Sequence, residues 1–318
     1  MSSGISSKRN LILQALLGIA ILVLLFWQVG WQDFLDALVA IELSLFILAL
    51  VFYAIDNLVL AFRYHFVLKY MDIQVPFIQV FLCHLGGMLY SDVTPGRVGY
   101  FTVPYFLKKR ANVAYSSSLS AIIGLQSLEF FIKVFGCGIG LIFIGFNIEN
   151  QILFIVLLIG TIFLFIVAVL LGVIVWSEKA EGIVQLLCKI PLIGKILAKL
   201  LPKFSDFQQQ GQKIKPVIPH AIVFTSVSWL LKGLQWYLIA LSLNITGISY
   251  FGFVMIHPLL TALSFVPITP AGLGLQESGI VIIFTLVFGQ EAASSSAFSI
   301  LARFYAILVD LAGILVFL

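Results

Sequence analysis

Long apolar stretches separated by short polar intervals organise this 318-residue chain. Six of them, near Leu11–Trp31, Leu43–Phe66, Ser116–Phe146, Gln151–Trp176, His220–Thr246 and Ala297–Leu318, reach the roughly 20 residues a helix needs to cross a bilayer core. A helix satisfies its own backbone there, so each stretch reads as a spanning helix. The first is too long for a signal-peptide core and lacks a small-residue cleavage site, so it reads as a retained span. Two further stretches, Pro76–Phe106 and Phe251–Phe288, are interrupted by Pro/Gly loops at 93–99 and 267–274. The apolar piece behind each loop is too short to span. Each stretch therefore reads as a re-entrant helical hairpin, tolerable at membrane depth only where protein or a wet cavity surrounds it.

Composition agrees: 61% of residues are hydrophobic and 10% charged, which a soluble chain of this size could not cover with polar surface. Charge placement tests the number of crossings. With a cytoplasmic amino terminus and both hairpins re-entrant, Lys8, Arg9, Arg63, Lys69, Arg97, Lys108, Lys109, Arg110 and the Lys-rich segment from Lys179 to Lys215 all fall on the cytoplasmic side. The outer loops carry Asp33, Asp36, Glu42, Glu149 and Glu291 and no cation, as the positive-inside rule requires. Both termini are then cytoplasmic, in the cell membrane.

The two loops share Thr-Pro-[Gly/Ala]-x-[Val/Leu]-Gly, from Thr94 to Gly99 and from Thr269 to Gly274. Each half becomes span, span, hairpin, span, and an odd number of crossings inverts the second half. The expected fold is an all-α polytopic membrane protein with about six full spans plus two re-entrant helical hairpins, arranged as an inverted-topology repeat. Residues 1–149 form the first half and 150–318 the second, within one integral membrane domain, 1–318. Such repeats point to a transporter whose site lies between the halves. The basic segment 177–219, with apolar residues at helical spacing, reads either as an amphipathic segment on the anionic cytoplasmic leaflet or as a loop that only fixes topology.

Ionisable groups inside spans mark candidate chemistry, because each costs about 2.5–3.5 kcal/mol to insert. Asp56 lies mid-span, open to a role in a path or to an internal hydrogen bond, and Arg63 reads as a snorkelling anchor. Glu129 and Lys133 are one turn apart and can pair, either as a structural pair or as one that opens for a charged group. Lys232 has no partner in its own helix, Arg303 and Asp310 lie two turns apart, and His257 before Pro258 reads as an interior or kink residue. The turn residues Pro95, Gly96, Gly99, Pro270, Gly272 and Gly274 end helices and admit tight backbone, and helix starts behind them could present N–H groups to an anion. Arg97 sits in the first loop and Glu277 behind the second. The candidate substrate path is Arg97, Glu129, Lys133, Lys232, Glu277, Arg303 and Asp56.

Pro270 to Glu277 resembles the Pro-Gly-Gly-Leu-Gly-x-x-Glu signature of the lysylphosphatidylglycerol synthase transmembrane region family, also called flippase-like or UPF0104. Pro95 to Gly99 is similar to its first motif, Glu129 to its third-span glutamate and Arg303 to its late arginine. Ala271, Tyr100, Phe130 and Lys133 depart from the pattern. The resemblance implies movement of a lipid between leaflets, in some relatives within glycolipid or polyprenyl-phosphate pathways.

Two function classes follow. One is a lipid translocase, flippase- or scramblase-like, passing an anionic or zwitterionic phosphate-bearing headgroup along a polar path lined by the hairpins. The other is an intramembrane enzyme or assembly factor acting on a lipid carrier. No nucleotide loop or metal-ligand cluster is present in the sequence, so no cofactor is expected. The repeat favours a transporter over an enzyme. Its partners are membrane lipids and not nucleic acid, and a homo-oligomer stays open.

Overall fold

The computed structural model describes residues 16–24, 27, 31–39, 41–145, 151–177, 180–182 and 204–317. Within them the chain is helical: α1 (Trp31–Val39), α2 (Leu43–Tyr70), α3 (Phe77–Asp92), α4 (Val103–Ala111), α5 (Tyr115–Gly145), α6 (Gln151–Trp176), α7 (Phe204–Gln212), α8 (Ile218–Ser242), α9 (Tyr250–Ala262), α10 (Leu275–Leu286) and α11 (Ala292–Asp310). A 3-10 segment, Leu311–Phe317, continues α11. Five helical stretches among the described residues are long and apolar enough to cross a membrane: Leu43–Tyr70, Tyr115–Gly145, Leu153–Trp176, Phe204–Ser242 and Ala292–Phe317. They coincide with five of the six expected spans. The first expected span is described only at 16–24, 27 and 31, and Lys8, Arg9, Glu149 and 178–179 and 183–203 of the basic segment fall outside the described residues.

Helix α6 shows why these are membrane helices. It carries no charged residue, and its buried positions Leu157, Leu164, Ala168 and Val175 form one narrow stripe, while Ile155, Ile159, Ile162 and Ile166 are exposed. The stripe packs on α5, where Ser127 donates to the Ala168 carbonyl at 2.9 Å. A helix with isoleucines outward and one narrow seam inward suits lipid on most of its circumference.

At the centre, α2 and α8 run antiparallel. Gln235 Nε2 reaches the Phe52 carbonyl at 3.3 Å, Lys232 faces Asp56 and Arg63 faces Thr225. The two interrupted stretches each fold back on themselves. In the first, Arg110 donates to Gln79 at 3.0 Å, and Tyr90 and Phe106 pack with ring centroids 5.8 Å apart, so α4 returns along α3. In the second, Phe253 packs on Phe284 and Gly279 lies against Leu260 and Leu263, so α10 returns along α9. Helices of 16, 9, 13 and 12 residues cover about 14–24 Å at 1.5 Å per residue, each short of a full crossing.

Small residues let the hairpins dock. A Cβ at Gly140 of α5 would lie 2.6 Å from the Met255 carbonyl oxygen of α9, and one at Gly313 would lie 2.4 Å from the Leu85 carbonyl oxygen of α3. The helix that follows each hairpin, α5 or α11, therefore packs against the first helix of the other one.

At its described end the basic segment packs on the end of α6. Phe204 and Phe207 of α7 are buried, Trp176 donates to the Gly211 carbonyl at 3.2 Å, and Gln208 and Gln212 bond the carbonyls of Ser177 and Trp176. Once α6 ends, its last carbonyls need donors, and the α7 glutamines supply them.

Candidate functional site

The tips of the two hairpins touch. Pro95 and Pro270 form an antiparallel bridge, and the Ala271 N–H donates to the Thr94 carbonyl at 2.9 Å. Both tips take the same backbone turn, with two successive left-handed residues after the proline. These are Gly96 and Arg97 at φ 62° and 57°, and Ala271 and Gly272 at φ 43° and 69°. The left-handed region disfavours a Cβ, so Arg97 and Ala271 are held there by surrounding contacts.

Beside this junction lies a cavity of about 110 Å³, room for a few waters or a phosphate-sized group. All seven residues of the candidate path line it: Asp56, Arg97, Glu129, Lys133, Lys232, Glu277 and Arg303. Asp92 joins them, making four carboxylates and four cations. Each cation is paired with one carboxylate. Arg97 meets Asp92 at 2.9 Å, Lys133 meets Glu129 at 2.9 Å, Lys232 meets Asp56 at 3.7 Å, and Arg303 bonds Glu277. The carboxylates are the more deeply buried members, with side chains 1–10% exposed, while the cation side chains are 14–25% exposed.

Glu129 is held more tightly than a single helical pair would hold it. It accepts from Lys133, from Gln126 Nε2 at 3.3 Å and from Arg63 Nη2 at 3.2 Å. Arg63 is 1% exposed and also donates to Thr225 at 2.6 Å, so it is an internal ion-pair partner and not a snorkelling anchor. The sequence distance to Glu129 hid this contact. Lys133, where an Asp is common in the resembled family, also sits 4.5 Å from the Phe265 ring centroid, over its face.

The second hairpin is tied to α11 through Glu277. Its Oε2 accepts the Gly274 N–H at 2.7 Å, its Oε1 accepts from Arg303, and Arg303 also donates to the Ala271 carbonyl at 3.3 Å. In the first hairpin, Thr94 Oγ1 accepts the Gly99 N–H at 2.8 Å. These side chains already occupy N–H groups that the sequence suggested could receive an anion. The charged donors that line the cavity are instead Arg and Lys side chains, and the Arg97 Nε is buried without a hydrogen-bond partner.

Several lining residues were not singled out beforehand. His84 bridges Asn57 Oδ1 at 3.0 Å and the Tyr100 hydroxyl at 2.9 Å. Since Asn57 donates its amide to the Tyr53 carbonyl, its Oδ1 accepts from His84 Nε2, and His84 Nδ1 accepts from Tyr100. Tyr305 donates to Gln235 at 3.1 Å and packs edge-on to Tyr53. His257 is buried with its ring edge-on to Trp236, 4.6 Å between centroids. Asp310 does not turn to Arg303; it accepts from the Tyr53 hydroxyl at 2.9 Å. A polar residue in mid-span, such as Gln235 one turn from Lys232, was the available signal.

The chain matches the sequence profile described as Lysylphosphatidylglycerol synthase TM region over residues 11–313. It is 25% identical to a UPF0104 membrane protein of Pyrococcus horikoshii over 95% of both chains. It is 28% identical to one of Methanocaldococcus jannaschii over 67% of this chain and 85% of the relative, and 23% identical to one of Methanothermobacter thermautotrophicus over 90% and 88%. With the profile covering nearly its whole length and the paired loops, glutamate and late arginine in place, the chain belongs to the lysylphosphatidylglycerol synthase transmembrane region family of membrane proteins.

Proposed function

We propose that the protein is a lipid translocase that passes an anionic or zwitterionic phosphate-bearing headgroup between leaflets while the acyl tails stay in the bilayer. The observation that carries this reading is the ion-pair-lined cavity at the meeting point of two hairpin tips, inside a bundle whose outer helices are apolar. A headgroup carries both hydrogen-bond acceptors and charge, and four cations facing one cavity can receive it by exchanging partners with their carboxylates. The path runs over Arg97, Glu129, Lys133, Lys232, Glu277, Arg303 and Asp56.

The inverted repeat is part of this reading. Asp56, Thr94 and Glu129 follow one another at nearly the same intervals as Lys232, Thr269 and Arg303. The equivalent positions carry opposite charges, and Asp56 and Lys232 pair with each other where α2 crosses α8. Equivalent loops turn alike, and the crossings of α5 with α9 and of α11 with α3 repeat one arrangement. Re-entrant hairpins in inverted halves would let the cavity open to either side by rocking one half against the other. The protein then lies in the cell membrane with both termini cytoplasmic.

The test separates transport from folding. Arg97→Gln and Arg303→Gln each remove a charge-assisted contact worth about 1.5–3 kcal/mol, which in a rate is about 10–100-fold. Reconstituted at matched amounts and matched melting temperature, both variants should move labelled phospholipid at least about 10-fold more slowly than wild type. Unchanged lipid movement in both would remove the cavity from the path.

A further inference from the structure

A side chamber of about 20 Å³, room for one water- or halide-sized atom, lies between α5, α8 and α9. It shares Glu129, Lys133, Lys232 and His257 with the main cavity, so the two spaces meet at those side chains. Trp229 and Pro258 also line it. Pro258 has no N–H, so the Val254 carbonyl one turn back loses its helical donor, and Trp229 Nε1 supplies one at 2.8 Å. That bond pins the wall and spends the indole N–H.

Charge around the chamber does not balance. Arg63 and Lys133 both pair with Glu129, at 3.2 and 2.9 Å, while Lys232 pairs with Asp56. Three cations therefore stand against two carboxylates, all with side chains 1–19% exposed. The other carboxyl groups of the region do not make up the difference. Asp92 and Glu277 are held by Arg97 and Arg303, and Asp310 accepts from Tyr53 and lines neither space. An uncompensated charge is costly at membrane depth, so the excess favours an anion.

Donors are left over in the same place. Lys232 Nζ stands 3.7 Å from Asp56 Oδ2, too far for a hydrogen bond. Lys133 has three N–H donors and gives one to Glu129. Ser228, 1% exposed and one turn before Lys232 on the same face of α8, lines the chamber, and its Oγ is buried without a hydrogen-bond partner.

We infer that the side chamber is a subsite for one anionic atom, held by Lys133 and Lys232 with the Ser228 hydroxyl. Its size admits a halide ion from solution, or a single non-bridging oxygen of a phosphodiester whose remaining atoms occupy the main cavity. The halide source stands on the chamber and its charge alone; the phosphodiester source rests on the translocase reading and names where that headgroup would be gripped.

Thermal unfolding of the purified protein in a neutral detergent reads the site without transport, with sodium chloride substituted for sodium gluconate at constant ionic strength. In wild type the melting temperature should rise saturably, by about 2 °C or more, and bromide should reproduce the rise. Lys232→Gln and Lys133→Met each leave two cations against two carboxylates, so each should abolish the rise, whereas Arg303→Gln should keep it. Ser228→Ala, which leaves every charge in place, should raise the chloride concentration needed for half the effect several-fold, and it keeps the test open if a lysine variant fails to fold. Monomeric dihexanoyl phosphatidylglycerol is the lipid probe. In chloride-free buffer it should raise the melting temperature of wild type but not of Lys232→Gln, and it should blunt the chloride response by competition. A chloride rise without a lipid effect supports the halide seat and rejects the phosphodiester source. A lipid effect that needs Lys232, without a chloride rise, supports the phosphodiester source and rejects the halide. Neither effect, or a chloride rise that survives both lysine changes, overturns the subsite. Both effects with no lipid movement in vesicles support the subsite and reject the translocase reading.

Discussion

Glu129 offers the sharpest energetic test, because it is 8% exposed and has two cationic partners from different helices. Glu129→Gln leaves Arg63, 1% exposed, without its paired carboxylate, with Thr225 and a neutral amide oxygen as its acceptors. Breaking a buried ion pair by removing one partner costs about 3–5 kcal/mol. Lys133→Met is milder: Glu129 keeps Arg63 and Gln126 and loses one charge-assisted hydrogen bond, about 1.5–3 kcal/mol. If Glu129 and Lys133 were an isolated pair, changing both to Gln and Met would restore stability. With Arg63 present it should not, because the guanidinium stays buried and unneutralised. The double variant should remain within about 1 kcal/mol of Glu129→Gln alone, and adding Arg63→Met should recover most of the loss. Denaturant or thermal unfolding in a mild detergent, followed by tryptophan fluorescence and size-exclusion homogeneity, measures the series. Wild-type stability in the Glu129→Gln/Lys133→Met protein with Arg63 intact would refute the three-way contact.

Other consequences are equally concrete. A Cβ at Gly99 would sit 2.2 Å from the Tyr90 carbonyl oxygen, and Gly274 has φ 80° with Ile21 Cβ 2.7 Å from its own would-be Cβ. Gly99→Ala and Gly274→Ala should therefore each lower the melting temperature, whereas Leu158→Ala, at an exposed α6 position, should leave it nearly unchanged; equal melting of all three contradicts the hairpin geometry. Single cysteines at Lys108 and Glu291, both exposed, should react with an impermeant thiol reagent from the cytoplasmic and the outer side respectively once Cys188 is replaced. Labelling of both from one face rejects the inverted halves.

Much of this was legible in the sequence because the bilayer makes strong demands on it. A 26-residue stretch without charge, Gln151–Trp176, has few folds open to it, and its helix has those ends. The paired Thr-Pro loops were readable as equivalent, and the structure brings them into contact. All the ionisable path candidates proved to share one cavity, since a buried charge has to face polar company. What stayed hidden was pairing across the chain. Arg63 and Glu129 are on α2 and α5, and Asp56 and Lys232 on α2 and α8; no local spacing reports such contacts. Arg63 resembled an anchor because it lies two turns from the end of a long helix beside Phe62, Tyr64 and Phe66, and only the packing of α5 and α8 against α2 encloses it. The Glu277 carboxylate, filling the N–H groups behind Gly274, likewise depends on a loop conformation that a motif does not specify.

The most direct test of lipid translocation uses reconstituted vesicles. These carry a trace of headgroup-labelled phosphatidylglycerol or phosphatidylethanolamine, and a membrane-impermeant reductant bleaches only label exposed on the outer leaflet. Protein-free vesicles should lose the outer leaflet's share and stop. Vesicles containing the wild-type protein, with and without an imposed proton gradient, should continue past that share under at least one condition, more slowly with Arg97→Gln. Bleaching that stops at the outer-leaflet share under both conditions, with correctly folded protein in every vesicle, would contradict the account.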